Sequence, residues 1–475
     1  MFIEFLLLKN NRIPIIEGCN GSKETGMKKV TIIGSGLAGT LLALYLAKRG
    51  YKLELFDARP DLRLLPADGG RSINLALSCR GITGMEGVGI MPLVKKLMVP
   101  MRARAIHEIQ GQIKYQSFGR HHNEYINAIQ RNELNKLLLA ESEKCPKVTL
   151  NFNTKLIGLN VDEKMMQLEL PDGKVLSRPY ELLIGADGAG SSVRELLKAK
   201  NLLQATRNFL SYGYKELSIG APGQNHLVHE HLHLWPREAF LLLGNPNLNK
   251  SITGSLFLPN EGKNSFAELD SEFKINDFFK KSFPDAYAQM PHLIQEFTQH
   301  PTGNMSTIKC DPWYYQDQCL LIGDAAHGIV PFFGQGMNCA FEDCRILNNL
   351  LNQHHDDWKK VLPDFYKSRK ENTDAVARMS MDNFHEIQID IRDKRFNLRK
   401  RLEHELMVRY PQEYVSKHVL VMFTNTPYAE AQAQGDLQKK FLDKISDKVE
   451  CVEEIDWNEV EKELKQYDKK LANLH

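Results

Sequence analysis

The stretch VTIIGSGLAG, from Val30 to Gly39, constrains this chain more than any other part of it. Val30 to Ile33 reads as a short buried strand that runs straight into Gly34, Gly36 and Gly39. TLLALYLAKRG follows, apolar on most faces, as expected of a helix packed under a sheet. Gly50 ends it, Tyr51 to Phe56 reads as a second strand, and Asp57 closes that strand. Gly34 permits the tight turn. Gly36 lets a pyrophosphate approach the backbone, where the amides and dipole of the helix N-terminus meet it, and Gly39 lets the helix pack close to the strand. Asp57 stands where a carboxylate can accept hydrogen bonds from a ribose diol. The glycine spacing alone is weak. With a strand before it, a helix after it and an acid at the next strand end, it marks a dinucleotide-binding βαβ unit rather than a glycine-rich turn of another α/β unit. The motif does not separate FAD from NAD.

Two later glycine-acid motifs point to FAD. In ELLIGADGAGSSVR, Leu182 to Ile184 is a strand, Gly185 to Gly188 a turn, and Ser191 to Leu197 opens a helix. In CLLIGDAAHGIVPFFGQGMNCAFED, the strand Cys319 to Ile322 ends at Gly323-Asp324, and a proline-glycine loop leads to a helix opened by Gly336-Met337-Asn338. An acid at a strand end beside a helix start can orient ribityl or ribose hydroxyls, and a helix N-terminus can offer amides to a flavin carbonyl. Asp324 is the best candidate for the ribityl contact, with helix capping as its competing role. Asp187 either organises its turn or faces a passing nucleotide. His327 is equally well a packed histidine with one satisfied nitrogen, and no catalytic role is assigned to it.

A chain of 475 residues is long for one hydrophobic core. Its 61 basic and 59 acidic side chains leave a formal charge of +2, which gives no hint of a nucleic-acid partner. The eight cysteines form no CxxC pair and read as reduced, small buried hydrophobes, neither a metal site nor a disulfide frame. A cytoplasmic location is the default expectation. No apolar run approaches the roughly eighteen residues of a membrane-crossing helix. The start, MFIEFLLLKNNR, lacks the pattern of a secretory signal, and residues 1–26 read as an appendage before Met27.

GSGLAG, GADGAGSSVR and GDAAHGIVPFFGQGMNCAFED, in this order and at these separations, resemble the single-component FAD-dependent aromatic hydroxylases from Met27 to about Leu350. GRSINLALSCRG, GYKEL, HLWP, HPTG and VMFTNTPYAEA resemble the kynurenine-hydroxylating branch of that family, which extends the likeness over nearly everything after Met27. The resemblance implies an extended FAD contacted at Asp57, Ala76, Arg131, Asp324, Met337 and Asn338. Arg131, in QRNELNKLLL, can pair with phosphate or ribose oxygens from a helix start, or be a plain surface arginine. The resemblance also implies a substrate-carboxylate site made of an arginine at Arg104, an asparagine at Asn383 and two tyrosine positions. Phe118 occupies the first of these and His418 the second. Phe333 stands where relatives often carry histidine. Phe118 cannot donate a phenolic hydrogen bond, and His418 can replace the donor, especially if protonated. Arg104 as a solvated charge and Asn383 as a helix brace stay open.

HLHLWP, AFLLLGNP and SITGSLFLP read as short strands of an antiparallel sheet. The stretch from His354 to Ile387 reads as helices broken around Pro363, and RDKRFNLRKRLEHELMVRYP as a helix ending before Pro411. Asp456-Trp457-Asn458-Glu459 reads as a capping box, followed by an amphipathic stripe of Trp457, Val460, Leu464, Tyr467 and Leu471. The expected fold class is α/β: a Rossmann-like FAD-binding domain with an inserted antiparallel β-sheet substrate domain and a helical C-terminal region. The expected boundaries are 27–205 and 307–355 for the FAD-binding domain, 206–306 for the sheet domain and 356–475 for the helices.

The function implied is NADPH-driven hydroxylation of L-kynurenine to 3-hydroxykynurenine with O2, through a flavin C4a-hydroperoxide. The flavin carries the chemistry, so no catalytic side chain is assigned. Arg104 and Asn383 position the substrate, and Phe118, Phe332 and Phe333 shape its pocket. NADPH is expected as a transient co-substrate, since no second GxGxxG unit is present. The alternatives are a hydroxylase of a different aromatic amino acid or arylcarboxylate, and a flavin-bearing redox-sensing protein.

Overall fold

Residues 30–33 and 182–184 are buried on both faces, which suits only interior strands. In the computed structural model, which describes residues 29–65, 74–220, 227–388 and 394–474, they lie at the centre of a six-stranded sheet. Its order is Tyr314–Tyr315, Cys319–Leu321, Leu182–Gly185, Lys29–Ile33, Lys52–Phe56 and Val148–Asn151. All neighbours are parallel except the Tyr314–Tyr315 edge. Helix α1 (Leu37–Lys48) is buried at every position from Gly39 to Ala47, which explains why its sequence lacks a polar face. It packs between helices contributed from far along the chain, α3 (Arg131–Glu143) and α7 (Gly336–Gln353). Between these come α2 (Cys79–Glu86) and α4 (Ser192–Ala199).

A seven-stranded sheet stands beside this unit. Its order is Gly303–Asp311, Gln204–Ile219, Ile252–Pro259, Leu241–Pro246, His231–Pro236, Ala103–His107 and Ile113–Ser117. It is not wholly antiparallel as the sequence suggests. Ala103–His107, which carries Arg104, joins it in parallel to His231–Pro236. The period-two alternation of these strands sorts their side chains. Trp235, Leu242, Leu256 and Leu258 pack under α5 (Glu272–Ser282) and α6 (Leu293–Gln299), with Phe278, Phe279 and Phe297. Leu234, Leu241 and Phe257 point the other way, into a separate cluster with Met305 and Val330.

The C-terminal helices are α8 (Trp358–Gln388), α9 (Lys394–Arg409), α10 (Lys417–Phe423), α11 (Tyr428–Ser446) and α12 (Trp457–Ala472). Pro363 does not break α8, contrary to the expectation from its sequence. It sits near the helix start, and the hydrogen bond it forfeits belongs to the carbonyl of Lys359, an exposed residue where water can take that role. The N-cap half of the capping box at α12 forms: Asp456 accepts from the amides of Asn458 and Glu459. The stripe behind it docks on the protein, with Val460, Leu464 and Tyr467 in one cluster with Leu402, Leu406, Tyr414 and Phe441. Among the described residues no helix is long and apolar enough to cross a membrane. Residues 1–26 and the Gly70–Ile73 part of GRSINLALSCRG lie outside the described residues.

Candidate active site

A cavity of about 1720 Å³ runs from the N-terminus of α1 to the helices α8, α9 and α10. Local backbone geometry makes one end of it. Gly34 has φ of +101°, and a Cβ there would lie 2.5 Å from the carbonyl oxygen of Ala186. A Cβ on Gly39 would lie 2.0 Å from the oxygen of Gly34, so α1 approaches the strand closely only because that position is bare. Gly36 is the N-cap of α1 and no side chain caps it, which leaves the first-turn amides directed at the cavity. Gln335 stands at the N-cap of α7, again without a side-chain cap, and Gly336 and Met337 line the cavity. Ala76, at the cavity wall, and Arg131, at the first position of α3, complete this end.

The strand-end acids differ from one another. The carboxylate of Asp57 accepts from the Ser35 amide and hydroxyl, both at 2.8 Å, and from the Arg59 backbone and guanidinium at 2.8–3.0 Å. Burial opposes its ionisation, but the hydrogen bonds and charge of Arg59 prevail and hold it below the usual range. A ribose diol therefore meets Asp57 together with the largely exposed Arg59 side chain. Asp324 follows the last interior strand, is exposed, and lines the cavity; Gly323, with φ of +60°, takes the N-cap position beside it. Asp187 braces α4, its Oδ2 accepting from Ser192 at 2.7 Å and Val193 at 3.2 Å. Its Oδ1 is buried at the cavity wall without a partner, an acceptor left for a ligand.

Two of the residues expected at the cofactor act from behind the wall. Gly39 contributes packing. Asn338 is fully buried, and its side chain is used up as a brace: Nδ2 donates to the carbonyls of Ala76 (2.8 Å) and Gly334 (2.9 Å), and Oδ1 accepts from the Ser78 amide (3.0 Å). Only its backbone, in the first turn of α7, is directed as the sequence suggests.

Beneath α7 lies a charged cluster that sequence reasoning missed. Asp343 accepts from His327 Nε2 at 2.6 Å, from Arg369 Nε at 2.7 Å and from the amide of Gly323 at 3.3 Å. Glu342 pairs with Arg369 at 2.6 Å and Arg80 at 2.9 Å. Burial works against both carboxylates, and the facing cations hold both below the usual range. His327 is thus a packed histidine. It also lies near Cys339, but Arg369 reaches Cys339 Sγ at 3.4 Å as well as Asp343, so a metal ion there would meet a fixed positive charge.

Side chains from scattered segments build the far end. Arg104 lies 4.7 Å above the Phe118 ring, and its guanidinium meets Gln116 at 3.4 Å and His418 Nε2 at 3.3 Å. Burial pulls its pKa down to about 10, against the opposing pull of Glu386 and Glu403. The His418 ring stands parallel to Phe118 (centroids 6.2 Å apart) and edge-on to Phe333. The surroundings of His418 disfavour its protonated form. Burial first, and then Arg104, Lys400 and Lys417, push its pKa well below the ordinary histidine value. A guanidinium only donates, so Nε2 accepts from Arg104 and the single proton of the neutral ring sits on Nδ1. Asn383 donates to the carbonyl of Phe332, whose ring stacks on Phe384 at 4.3 Å. The structure brings Arg104, Phe118, Phe332, Phe333, Asn383 and His418 to one cavity. Glu386, Lys400 and Glu403 join them there; the only sequence sign was the one-turn spacing of Glu386 from Asn383.

Uncapped helix amides, a close-packed glycine turn, strand-end acids and an orphaned acceptor together fit an extended dinucleotide. Residues 27–379 match the model of the FAD binding domain family. A kynurenine 3-monooxygenase of Legionella pneumophila (strain Corby) is 60% identical over 448 residues, 94% of this chain and 100% of the relative. One from Myxococcus xanthus is 42% identical, over 90% of this chain and 92% of the relative. Among solved structures, the tetrameric form of 2-methyl-3-hydroxypyridine-5-carboxylic acid oxygenase matches with a TM-score of 0.62 at 20% identity, covering 76% of this chain and 93% of that one, a likeness of fold. With the family model spanning most of the chain and close relatives aligned over 92–100% of their length, the chain belongs to the FAD-dependent monooxygenases of the kynurenine 3-monooxygenase family.

Proposed function

We propose that this chain hydroxylates L-kynurenine at the ring carbon ortho to the amino group, giving 3-hydroxykynurenine, with NADPH as reductant and O2 as oxygen source. The observation that carries this reading is the single cavity joining the glycine turn to Arg104, in a chain 60% identical to a kynurenine 3-monooxygenase across that relative's full length. When bound, FAD supplies the electron transfer and oxygen activation. The polypeptide binds, orients and shields. Amides at the start of α1 hold the pyrophosphate, Asp57 with Arg59 and Arg131 hold the adenosine side, and Asp324 takes the ribityl hydroxyls. The amides of Gly336, Met337 and Asn338 meet the flavin carbonyls, where the helix dipole favours negative charge.

Arg104 takes the substrate carboxylate. His418 Nδ1–H supplies the donor that Phe118 lacks, and Asn383 adds a polar contact beside the carbonyl of Phe332. Phe118, Phe332 and Phe333 form the ring slot and exclude water. The aniline nitrogen already enriches the ring, so no side chain needs to act as a strong base. The test is NADPH oxidation by FAD-loaded protein with and without L-kynurenine, with product identification. Kynurenine is expected to speed NADPH consumption and to appear as the 3-hydroxy product. Unchanged consumption, or peroxide without hydroxylated product, rejects the reading.

A further inference from the structure

Three stretches that carry the family resemblance meet behind the start of α7, at side chains that the reading above does not use. Gln335 lies between Gly334, whose φ is +64°, and Gly336. Asn338 holds the Gly334 carbonyl from within α7. The two glycines have no side chain, so Gln335 is the anchor by which the turn is held from outside the helix. It is fully buried at the N-cap position, and its side chain does not cap the helix. Its Oε1 accepts from the Tyr428 hydroxyl at 2.8 Å, and its Nε2 donates to Met422 Sδ at 3.2 Å. Tyr428, at the start of α11, is also fully buried. Burial pushes its pKa well above the ordinary phenol value, so the hydroxyl keeps its proton and donates. Arg80 fixes the ring: its guanidinium carbon lies 3.9 Å from the centroid, and its nitrogens reach the Thr426 carbonyl and Glu342 of α7. Arg80 belongs to GRSINLALSCRG and Gln335 to GDAAHGIVPFFGQGMNCAFED, while Met422, Thr426 and Tyr428 belong to VMFTNTPYAEA. Phe333, Val376, Met379 and Ala431 pack in the same cluster as Tyr428. In such an apolar shell a satisfied hydrogen bond specifies one arrangement of the groups it joins.

We propose that Tyr428 is a positioning residue for the flavin: by fixing Gln335 it holds the first-turn amides of α7 against the flavin carbonyls, and so favours the reduced, negatively charged flavin. The inference rests on the placement of FAD given above, with its carbonyls at Gly336, Met337 and Asn338. Neither Tyr428 nor Gln335 lines the cavity, so the effect passes through the backbone of the turn. The field of a helix N-terminus is felt within about its first turn. A turn free to shift therefore stabilises the charge of the reduced flavin less, and leaves the oxidised, neutral ring nearly unaffected.

The test is the midpoint potential of FAD-loaded protein, measured by equilibration with a reference dye, for the wild type, Tyr428→Phe, Gln335→Met and the double variant. Phe keeps the ring under Arg80 and removes only the hydroxyl; Met matches Gln335 in length and removes both of its hydrogen bonds. Tyr428→Phe is expected to cost about tenfold in affinity for reduced relative to oxidised FAD, which lowers the two-electron potential by about 30 mV. Gln335→Met is expected to lower it at least as far. The double variant is expected to go no lower than Gln335→Met, because two residues that act through one contact are not additive. A wild-type potential in Tyr428→Phe overturns the proposal, and so does a double variant whose shift is the sum of the two single shifts. If Tyr428→Phe is silent while Gln335→Met shifts the potential, the placement of the flavin at α7 stands and only the role of Tyr428 falls. If both are silent, that placement falls as well. Hydroxylation of L-kynurenine by the wild type, followed alongside, tests the kynurenine reading separately.

Discussion

The two ends of the cavity are built from different parts of the polypeptide. At the glycine-rich end the contacts are mostly backbone: the turn at Gly34, the bare approach at Gly36, and the first-turn amides of α1 and α7. At the far end they are side chains from separate segments, Arg104, Phe118, Phe333, Asn383 and His418. Backbone recognition depends on local conformation and tolerates little change. Side-chain recognition can be retuned residue by residue. The departures that the resemblance suggests, at Phe118, Phe333 and His418, all fall among side chains, while the glycine spacing is intact.

This contrast can be broken experimentally, most severely at the backbone end. Gly39→Ala places a methyl 2.0 Å from the oxygen of Gly34 and 3.3 Å from the Ala186 methyl. Relief requires α1 to move, at a cost of roughly 1–3 kcal/mol or more, and moves its amides too. FAD affinity, followed by flavin fluorescence, is expected to fall about a hundredfold. A variant that purifies with a full complement of flavin would show that this close approach is dispensable.

Arg104→Met tests the other end. Truncating one partner of a buried charge contact costs roughly 2–5 kcal/mol, so kynurenine binding should weaken about a hundredfold or more, with the flavin content of the wild type. Unaltered kynurenine affinity would place the carboxylate elsewhere. Phe118→Tyr sharpens the comparison by restoring the phenol. A hydrogen bond to a charged group contributes about 1.5–3 kcal/mol, so kynurenine should bind about tenfold more tightly. Weaker binding would mean that the hydroxyl is buried without a partner and that the substrate sits in a shifted pose.

The smallest effect concerns pH. His418 is neutral when folded because burial and the neighbouring cations depress its pKa. The unfolded chain protonates it below about pH 6.5. As pH falls through that value, the unfolded state takes up a proton that the folded state refuses, and stability is lost by at most about 1.4 kcal/mol per pH unit. His418→Gln removes this contribution, so between about pH 6.5 and 5 the wild type should lose Tm faster than the variant. Coincident slopes would mean that the folded ring is already charged.

The sequence was most informative where the physics is local. The strand–glycine–helix unit at residues 30–39, the helix opening at Gly336 and the Asp456 cap all follow from neighbours within a few residues. It was least informative where partners are distant. Nothing near Ala103–His107 signals that it will lie parallel to His231–Pro236, because that pairing closes a loop of more than a hundred residues. Asp57 is identifiable as a strand-end acid, but not its engagement by Arg59, whose side chain turns back across the strand end. Asn338 sits where an amide contact is expected, yet its side chain holds the segment around Ala76 and Ser78 to α7, a role set by tertiary packing. The proline rule failed at Pro363 because the first turns of a helix tolerate the loss of a single hydrogen bond better than its middle does.

Glu342 and Asp343 have a consequence for how this protein can change over time. They share Arg369, reach out to Arg80 and His327, and tie α2, α7, α8 and the Gly323 turn into one unit. Losing Arg369, the cation that both carboxylates share, leaves buried negative charge undercompensated, a penalty of about 3–5 kcal/mol and a large share of a typical folding free energy. Viable descendants are therefore expected to exchange these residues in matched pairs or not at all. Positions remote from the pocket interior thereby set an inherited limit on how far the segments around Asp324 and Gly336 can drift.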